Sequence, residues 1–373
     1  MNDDPNPLAR HASASASASA ASMAAPSGGV GPDGVVMAEV LAEQYGMDVI
    51  GCAPVAMGTQ TVNRVVELDG GHRVFVKEYR TLEEADRAWA AWEMSEYCAR
   101  HRLPVPRVVL NQDGVLVTRA AGTVWVVTEL ADGRVADTPM TPASAEAIGA
   151  ALGRMHRILA GYPAAARTRH TRWRTGEVDV MLRKVERVRQ RATAQLEPRL
   201  HQLRQDLDQR CEDVRAHVPR LRAQLHSRLT VQPTHADFAR TNLLLDGDRL
   251  TAVIDFQAEN GVLAWELGRI AFDPRTVTHG LHWVQCALRL IEAYRAENPY
   301  LAGREVRACA RIVLLYLLMS LYGATTREYQ LPAAAAEDLC RYWDERQVTI
   351  RRMIAQLDEI EDALGATERG RRR

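Results

Sequence analysis

The chain predicts an α+β fold of two lobes, a small antiparallel-sheet N-lobe followed by a larger, mostly helical C-lobe with a long helical insert. Three observations carry this. Alternating apolar runs at Asp48 to Val55, Thr61 to Leu68 and Gly71 to Lys77 are parted by turn residues, the pattern of half-buried strands joined by hairpins. From Thr141 onward apolar residues recur every three or four positions, the period of amphipathic helices. One strand pair, Leu243–Leu245 and Leu250–Ile254 about the turn Asp246-Gly247-Asp248, is set within the helical half. With 373 residues, 47% of them hydrophobic and 25% charged, the chain can bury a substantial core, and its length suggests two domains.

Each element follows from local chemistry. Residues 1–35 begin with Asp3 and Asp4 where a secretory leader carries basic residues, then run through an Ala-Ser repeat into Pro and Gly, which predicts a disordered tail. The N-lobe is expected over 36–135, with a helix from Thr81 to Arg102 after its third strand. Trp89, Trp92, Ser95 and Ala99 lie at helical spacing on the face expected to meet the sheet. The C-lobe, 136–365, opens at Thr141-Pro142, a helix start signal for Ala143 to Leu159. An insert at about 166–230 has Val185, Leu203, Leu207, Val214, Val218 and Leu221 at helical spacing, interrupted by Pro198 and Pro219. An interior proline costs a helix about 3 kcal/mol, so two or three helices broken at those prolines are expected, packed as a hairpin on the C-lobe. Residues 366–373 read as a basic disordered tail.

The chemistry is concentrated in His235-Ala-Asp-Phe-Ala-Arg-Thr-Asn242 and, one hairpin later, Val253-Ile-Asp255-Phe256. Phosphoryl transfer to a hydroxyl needs a carboxylate near the acceptor proton and oxygen ligands that hold Mg²⁺ against the phosphates of ATP. Asp237 can supply the first; Asn242 and Asp255 can supply the second, since a hard cation takes carboxylate and amide oxygens. His235 is expected to anchor the loop. Upstream, Lys77 is one of only two lysines in a chain that otherwise uses arginine. It ends an alternating strand, where a flexible ammonium would reach the phosphates and an acidic residue of the next helix. Glu93 is the expected partner, with Glu96 close behind. Gly58, in the turn between the first two strands, would cover the phosphates with backbone N–H groups.

Taken in order, these pieces resemble the aminoglycoside phosphotransferase superfamily, small-molecule kinases of protein-kinase-like fold that include choline, homoserine and methylthioribose kinases. Leu103-Pro-Val-Pro-Arg-Val-Val109 is similar to the family's Leu-Pro-Val-Pro stretch, and Gly149-Ala-Ala-Leu-Gly-Arg-Met-His156 to its Leu-Gly-x-x-Leu-His helix. The resemblance implies that Trp125-Val-Val-Thr128-Glu129-Leu130 leads into a hinge whose backbone binds adenine. It covers most of residues 38 to 275. Ala236 stands where the family has Gly, Gln257 follows Asp-Phe, and Glu266 stands near where many relatives have an Asp, with the same structural job expected of it.

Six widely spaced cysteines without a Cys-x-x-Cys pair argue against a zinc site or disulfide framework and fit a reducing cytoplasm. The longest apolar run, Ile312 to Leu321, is too short to span a bilayer. The expected partner is a small-molecule hydroxyl acceptor, with no membrane and no nucleic acid; the insert offers a surface for a homodimer. Carboxylates of the C-terminal helices, such as Asp338, Asp344, Glu345 and Glu361, could hold a polycationic antibiotic, but aminoglycoside, homoserine, choline and other hydroxylated acceptors all stay open. The alternative to an O-phosphotransferase is a non-catalytic, kinase-like nucleotide-binding or scaffolding protein.

Overall fold

The structure is a computed structural model that describes residues 32–55, 61–136, 138–163, 165, 167–192, 199–325 and 333–371. The N-lobe contains α1 (Pro32–Tyr45), β1 (Val49–Val55), β2 (Thr61–Leu68), β3 (Arg73–Tyr79), α2 (Leu82–Arg100), β4 (Val108–Val109), β5 (Thr118–Ala120) and β6 (Thr123–Glu129). The strands form one antiparallel sheet of order β1-β2-β3-β6-β4, with β5 on β6. Side chains alternate across a strand, and here both faces are covered. Trp125 and Val127 of β6 pack with Met37 and Leu41 of α1, while Val124 and Val126 pack with Ala88 of α2. Val124 to Thr128 is therefore buried without a break. Helix α1 begins at Pro32, inside the last four residues of the expected tail, and buries Met37, Val40 and Leu41 of the N-lobe; residues 1–31 lie outside the described residues.

Past β6 the chain adds β7 (Arg134–Val135), which pairs with a C-lobe strand, and then α3 (Pro142–Leu159). Thr141 caps α3 as anticipated, its hydroxyl accepting from the Ser144 N–H while the Ser144 hydroxyl accepts from the Thr141 N–H. There follow β8 (Arg167–Thr168), α4 (Arg172–Thr175), α5 (Val178–Arg191), α6 (Leu200–Ala223), β9 (Val231–Thr234), a 3-10 turn at Arg240–Asn242, β10 (Leu243–Asp246), β11 (Arg249–Val253) and β12 (Glu259–Val262). The chain ends with α7 (Leu263–Ala271), α8 (Pro274–His279), α9 (Trp283–Glu297), α10 (Gly303–Leu318) and α11 (Ala333–Arg371). One large apolar core joins these helices. Helices α3 and α9 approach so closely that a Cβ at Gly149 would lie 2.0 Å from the Leu290 carbonyl oxygen.

The insert forms two helices, α5 and α6, rather than helices broken at both prolines. Pro198 lies outside the described residues, but Pro219 sits inside α6. It is tolerated near the C-terminal end of that helix because Val214, Val218 and Leu221 are buried there, and tertiary packing outweighs the lost backbone hydrogen bond. The buried face of α6 is used within the chain. Asp206 accepts from the Trp343 indole and Asp213 pairs with Arg351, both on α11. Helix α11 also continues to Arg371, where a tail was expected from residue 366. Among the described residues no helix is long and apolar enough to cross a membrane.

Candidate active site

The site lies where β9 gives way to a loop, the 3-10 turn and the β10–β11 hairpin. β10 pairs with β11 on one side and β7 on the other, with Leu243 opposite Val253. That register sets Asn242 beside Ile254, whose N–H donates to the Asn242 carbonyl at 3.0 Å. Asp255 follows directly, so the hairpin, whose register shifts by one residue at Thr251, returns it to Asn242, as the spacing predicts. The Val253 N–H donates to the Pro104 carbonyl at 2.7 Å, which ties the hairpin to the Leu103–Val109 stretch.

Three non-glycine residues take left-handed backbone here, Ala236 at φ 66°, Asp255 at φ 66° and Ala258 at φ 50°. Such residues cost roughly 1–3 kcal/mol each and persist where the surroundings fix them. Ala236 thus occupies a conformation that glycine adopts without strain. His235 is the brace. It is fully buried; its Nε2 donates to the Ile254 carbonyl at 2.9 Å, and its Nδ1 accepts from the Asp237 N–H at 3.1 Å. Burial pushes the imidazole below its ordinary range, which suits a neutral ring that donates on one side and accepts on the other. The ring also packs on Phe256, 4.3 Å between centroids. His235 therefore holds the two loops together, as expected.

Asp237 is buried, with both carboxylate oxygens engaged. Oδ2 accepts from Asn242 Nδ2 at 3.0 Å, and Oδ1 pairs with Arg269 at 2.5 Å. Burial pushes its carboxyl above the usual aspartate range, opposed by the Arg269 and Arg169 guanidiniums. Asn242 donates to the Asp237 carbonyl as well, at 2.9 Å. Across from them, Lys77 of β3 pairs with Asp255 Oδ1 at 2.7 Å. Burial would lower the ammonium pKa, but the Asp255 carboxylate outweighs it and raises it.

The expected pairing of Lys77 with Glu93 is not made. Glu93 is exposed, and Glu96 pairs with Arg100 at 3.4 Å and Arg107 at 4.0 Å. Consecutive helix residues are turned by about 100°, and the face of α2 toward the sheet carries Ala88, Trp92 and Ser95, which leaves Glu93 to one side. The α2 residue beside Lys77 is Trp92, its ring 5.8 Å from Nζ and its indole donating to Tyr79. Trp89, also placed on that face by its spacing, is exposed instead. Gly58 lies outside the described residues. Thr128 and Glu129 close β6 and Leu130 follows it; Thr128 is buried between Phe75 and Val108, and the Glu129 N–H donates to the Arg107 carbonyl at 3.0 Å.

Glu266 has a definite partner. His156 of α3 pairs with it at 2.9 Å and with the Tyr294 hydroxyl at 2.9 Å, all three buried. Burial would raise the Glu266 carboxyl, yet the hydrogen bond with His156 and the nearby Arg169 guanidinium hold it below the usual range. Sequence reasoning missed Arg269, which lies one helical turn beyond Glu266 on α7, and Arg169, whose guanidinium donates to the Ala236 carbonyl and pairs with Glu259 at 3.2 Å. The spacing of Arg269 from Glu266, three residues on a helix that follows Asp-Phe, was the available signal; nothing local marks Arg169.

Comparison with known proteins agrees with this arrangement. A solved structure of spectinomycin phosphotransferase in complex with ADP and spectinomycin superposes with a TM-score of 0.62 at 12% identity, covering 88% of this chain and 97% of that one. An amicoumacin kinase solved in complex with AMP-PNP, Ca²⁺ and Ami superposes with a TM-score of 0.53 at 16% identity, covering 83% of this chain and 91% of that one. These likenesses show the kinase-like two-lobe fold. Homoserine kinase of Methylobacillus flagellatus is 28% identical over 204 residues, and the match spans only about half of each protein, 54% of this chain and 56% of the relative. The model of the phosphotransferase enzyme family matches residues 53–306, more than half of the chain and every site residue described above. The protein belongs to the phosphotransferase enzyme family, the small-molecule kinases that the aminoglycoside phosphotransferases typify.

Proposed function

We propose that the protein transfers the γ-phosphate of ATP to a hydroxyl of a small molecule, with Asp237 as the base that orients and deprotonates the acceptor. The observation that carries this reading is the convergence of Asp237, Asn242, Asp255 and Lys77 from three segments, the loop after β9, the end of β11 and β3. ADP and AMP-PNP in the solved relatives, and the acceptors named for spectinomycin phosphotransferase, amicoumacin kinase and homoserine kinase, support it.

The donor set fits a hard cation. Asn242 and Asp255 offer an amide and a carboxylate, and no cluster of three His, Cys, Asp or Glu side chains suited to a metal occurs among the described residues. Magnesium is commonly held by one or two protein oxygens, with phosphate and water completing the shell. When bound it would neutralise charge on the phosphates. The chain's own residues do the rest. Lys77 neutralises phosphate charge from the N-lobe, the end of β6 offers backbone to the adenine, and Asn242 fixes the Asp237 carboxylate. Arg269 on Oδ1 must share or yield that oxygen when the acceptor hydroxyl arrives. Six free cysteines support a reducing, cytoplasmic setting.

The test is ATP turnover by the purified protein over aminoglycosides, other hydroxylated antibiotics, choline, homoserine and related alcohols, with Asp237→Asn as control. Acceptor-dependent turnover that disappears in the variant is expected. Mg-ATP binding without turnover on any acceptor would count against catalysis and favour a nucleotide-binding scaffold.

A further inference from the structure

Around Asp237 the buried polar groups are out of balance. Arg269 of α7 and Arg169, just after β8, both stack on Trp265, at 5.4 and 4.8 Å. Trp265 meets Tyr316 of α10 edge to face at 5.7 Å, and Arg346 of α11 lies over Tyr316 at 5.6 Å and Tyr342 at 5.9 Å. Arg169 is matched by Glu259, and Arg269 by Asp237. Arg346 has no carboxylate within ion-pair distance among the described residues. It is fully buried; Nη2 donates to the Leu317 and Ser320 carbonyls, while Nε and Nη1 have no partner. The Trp265 Nε1–H is also buried without an acceptor.

Buried donors left unpaired are costly, most of all charged ones, and call for something that completes them. Arg167 and Arg169 share Glu259, Arg269 has Asp237 and Arg346 has none, while Glu266, bonded to His156, keeps Oε1 without a donor. Burial would raise the Tyr316 phenol, but the charges of Arg269, Arg346 and Arg169 hold it below its ordinary range, which shows the cationic field reaching the same place. Four acidic residues of α11 that could hold a polycation are already paired with arginines. Asp338 and Glu345 pair with Arg275, Asp344 with Arg199 and Glu361 with Arg311.

We infer that the acceptor carries an anionic group, a carboxylate or a phosphate, received by Arg269 within the field of Arg346 and Arg169 while its hydroxyl is presented to Asp237. The inference rests on the kinase reading and narrows its acceptor. It also gives Arg269 a switch in partner, since an incoming anion competes for the guanidinium and releases Asp237 Oδ1 to the hydroxyl.

Two measurements test it. Acetate and inorganic phosphate are titrated separately against the full-length protein at constant ionic strength, following the melting temperature in wild type, Arg269→Gln and Arg346→Gln. Turnover is then compared across matched acceptors, hydroxy acids against their amides and sugar phosphates against the free sugars. We expect one of the two anions to raise the melting temperature of wild type and to lose that effect in Arg269→Gln, and the anionic acceptors to exceed their neutral partners about tenfold or more in kcat/KM. The half of each panel that responds distinguishes carboxylate from phosphate. Because Arg346→Gln removes a buried side chain and could unfold the protein, Arg269→Gln, whose side chain is partly exposed, decides the matter. No anion-dependent stabilisation, or turnover of neutral and cationic acceptors as good as that of anionic ones, overturns the inference and leaves the kinase reading intact. Absence of Mg-ATP binding overturns the kinase reading instead, and an Arg269-dependent response to anions would then still support the anion site.

Discussion

The two ends of the candidate active site are built on different electrostatic terms. At the end facing the N-lobe, one ammonium meets one carboxylate, Lys77 and Asp255, 178 residues apart in the chain and 2.7 Å apart in space. At the end facing α7, α10 and α11, Arg346 has no carboxylate partner among the described residues, and Arg346 and Trp265 keep buried donors without partners. In the proposed reading the first end handles phosphates that are the same for every substrate, so a minimal matched pair serves. The second handles an acceptor that varies from one family member to the next, and its imbalance is what a fold cannot dictate.

The largest effects should separate the ends by what they damage. Asp237→Asn keeps the side chain's size and its contact with Asn242 but removes the base, whose contribution is typically about 10²–10⁴ in rate. Turnover should fall by about that factor while the Kd for Mg-ATP stays unchanged. Asp255→Ala should do the reverse, weakening Mg-ATP binding because it removes the partner of Lys77 and a candidate cation ligand. Titration of both variants with Mg-ATP, beside steady-state kinetics, checks this; if the two lose affinity and turnover in the same proportion, the division into ends is wrong. The pH profile sharpens it. Since burial holds the Asp237 carboxyl above the ordinary aspartate range, wild-type activity should fall with decreasing pH through a limb lying above that range, as the base becomes protonated.

The same contrast governs what could be read from the sequence. Asp237, Asn242 and Asp255 are legible because their roles are set by short spacings across one loop and one hairpin, and hairpin register is a local property. Lys77 is legible because it lies in an alternating strand. Glu93 is not, because a helix rotates its residues by about 100° each and the sequence does not say which face docks; Trp92 took the position. Arg169 and Arg346 come from a short strand's end and a distant helix, and only tertiary packing brings them to one aromatic cluster. The insert was legible as helical, whereas Pro219 was misjudged because burial of Val218 and Leu221 overrides a local penalty. Helix α1 was hidden by a tail composition that continues into its first turn.

A smaller effect should appear in stability rather than chemistry. His156 and Glu266 form a buried pair behind the acceptor end, and breaking such a pair leaves an uncompensated charge at a cost of about 3–5 kcal/mol. His156→Ala should lower the melting temperature strongly, and denaturant unfolding measures how much. The Glu266 carboxyl is held below the usual range, so its contribution is complete above the ordinary glutamate pKa and is lost as pH falls through the lower, folded value. In His156→Ala that acid-side dependence should flatten. If it persists unchanged, Arg169 is enough to hold Glu266 ionised, and the acceptor end owes less to α3 than the geometry indicates.

The smallest effect comes from Thr141, which lies at neither end. Its hydroxyl caps α3 through the Ser144 N–H at 3.1 Å and also donates to Asp248, in the turn of the β10–β11 hairpin. Loss of a threonine cap costs about 1 kcal/mol, so Thr141→Ala should lower the melting temperature by a few degrees at most. The hairpin reaches the site through its other end, at Asn242 and Asp255, and the cap touches only the turn. Kinetic constants should therefore match wild type. A drop in kcat without a matching loss of stability would mean that movement of the turn is transmitted along β10 and β11 to both ends at once, and the hairpin would then join the two regions that its residues otherwise keep apart.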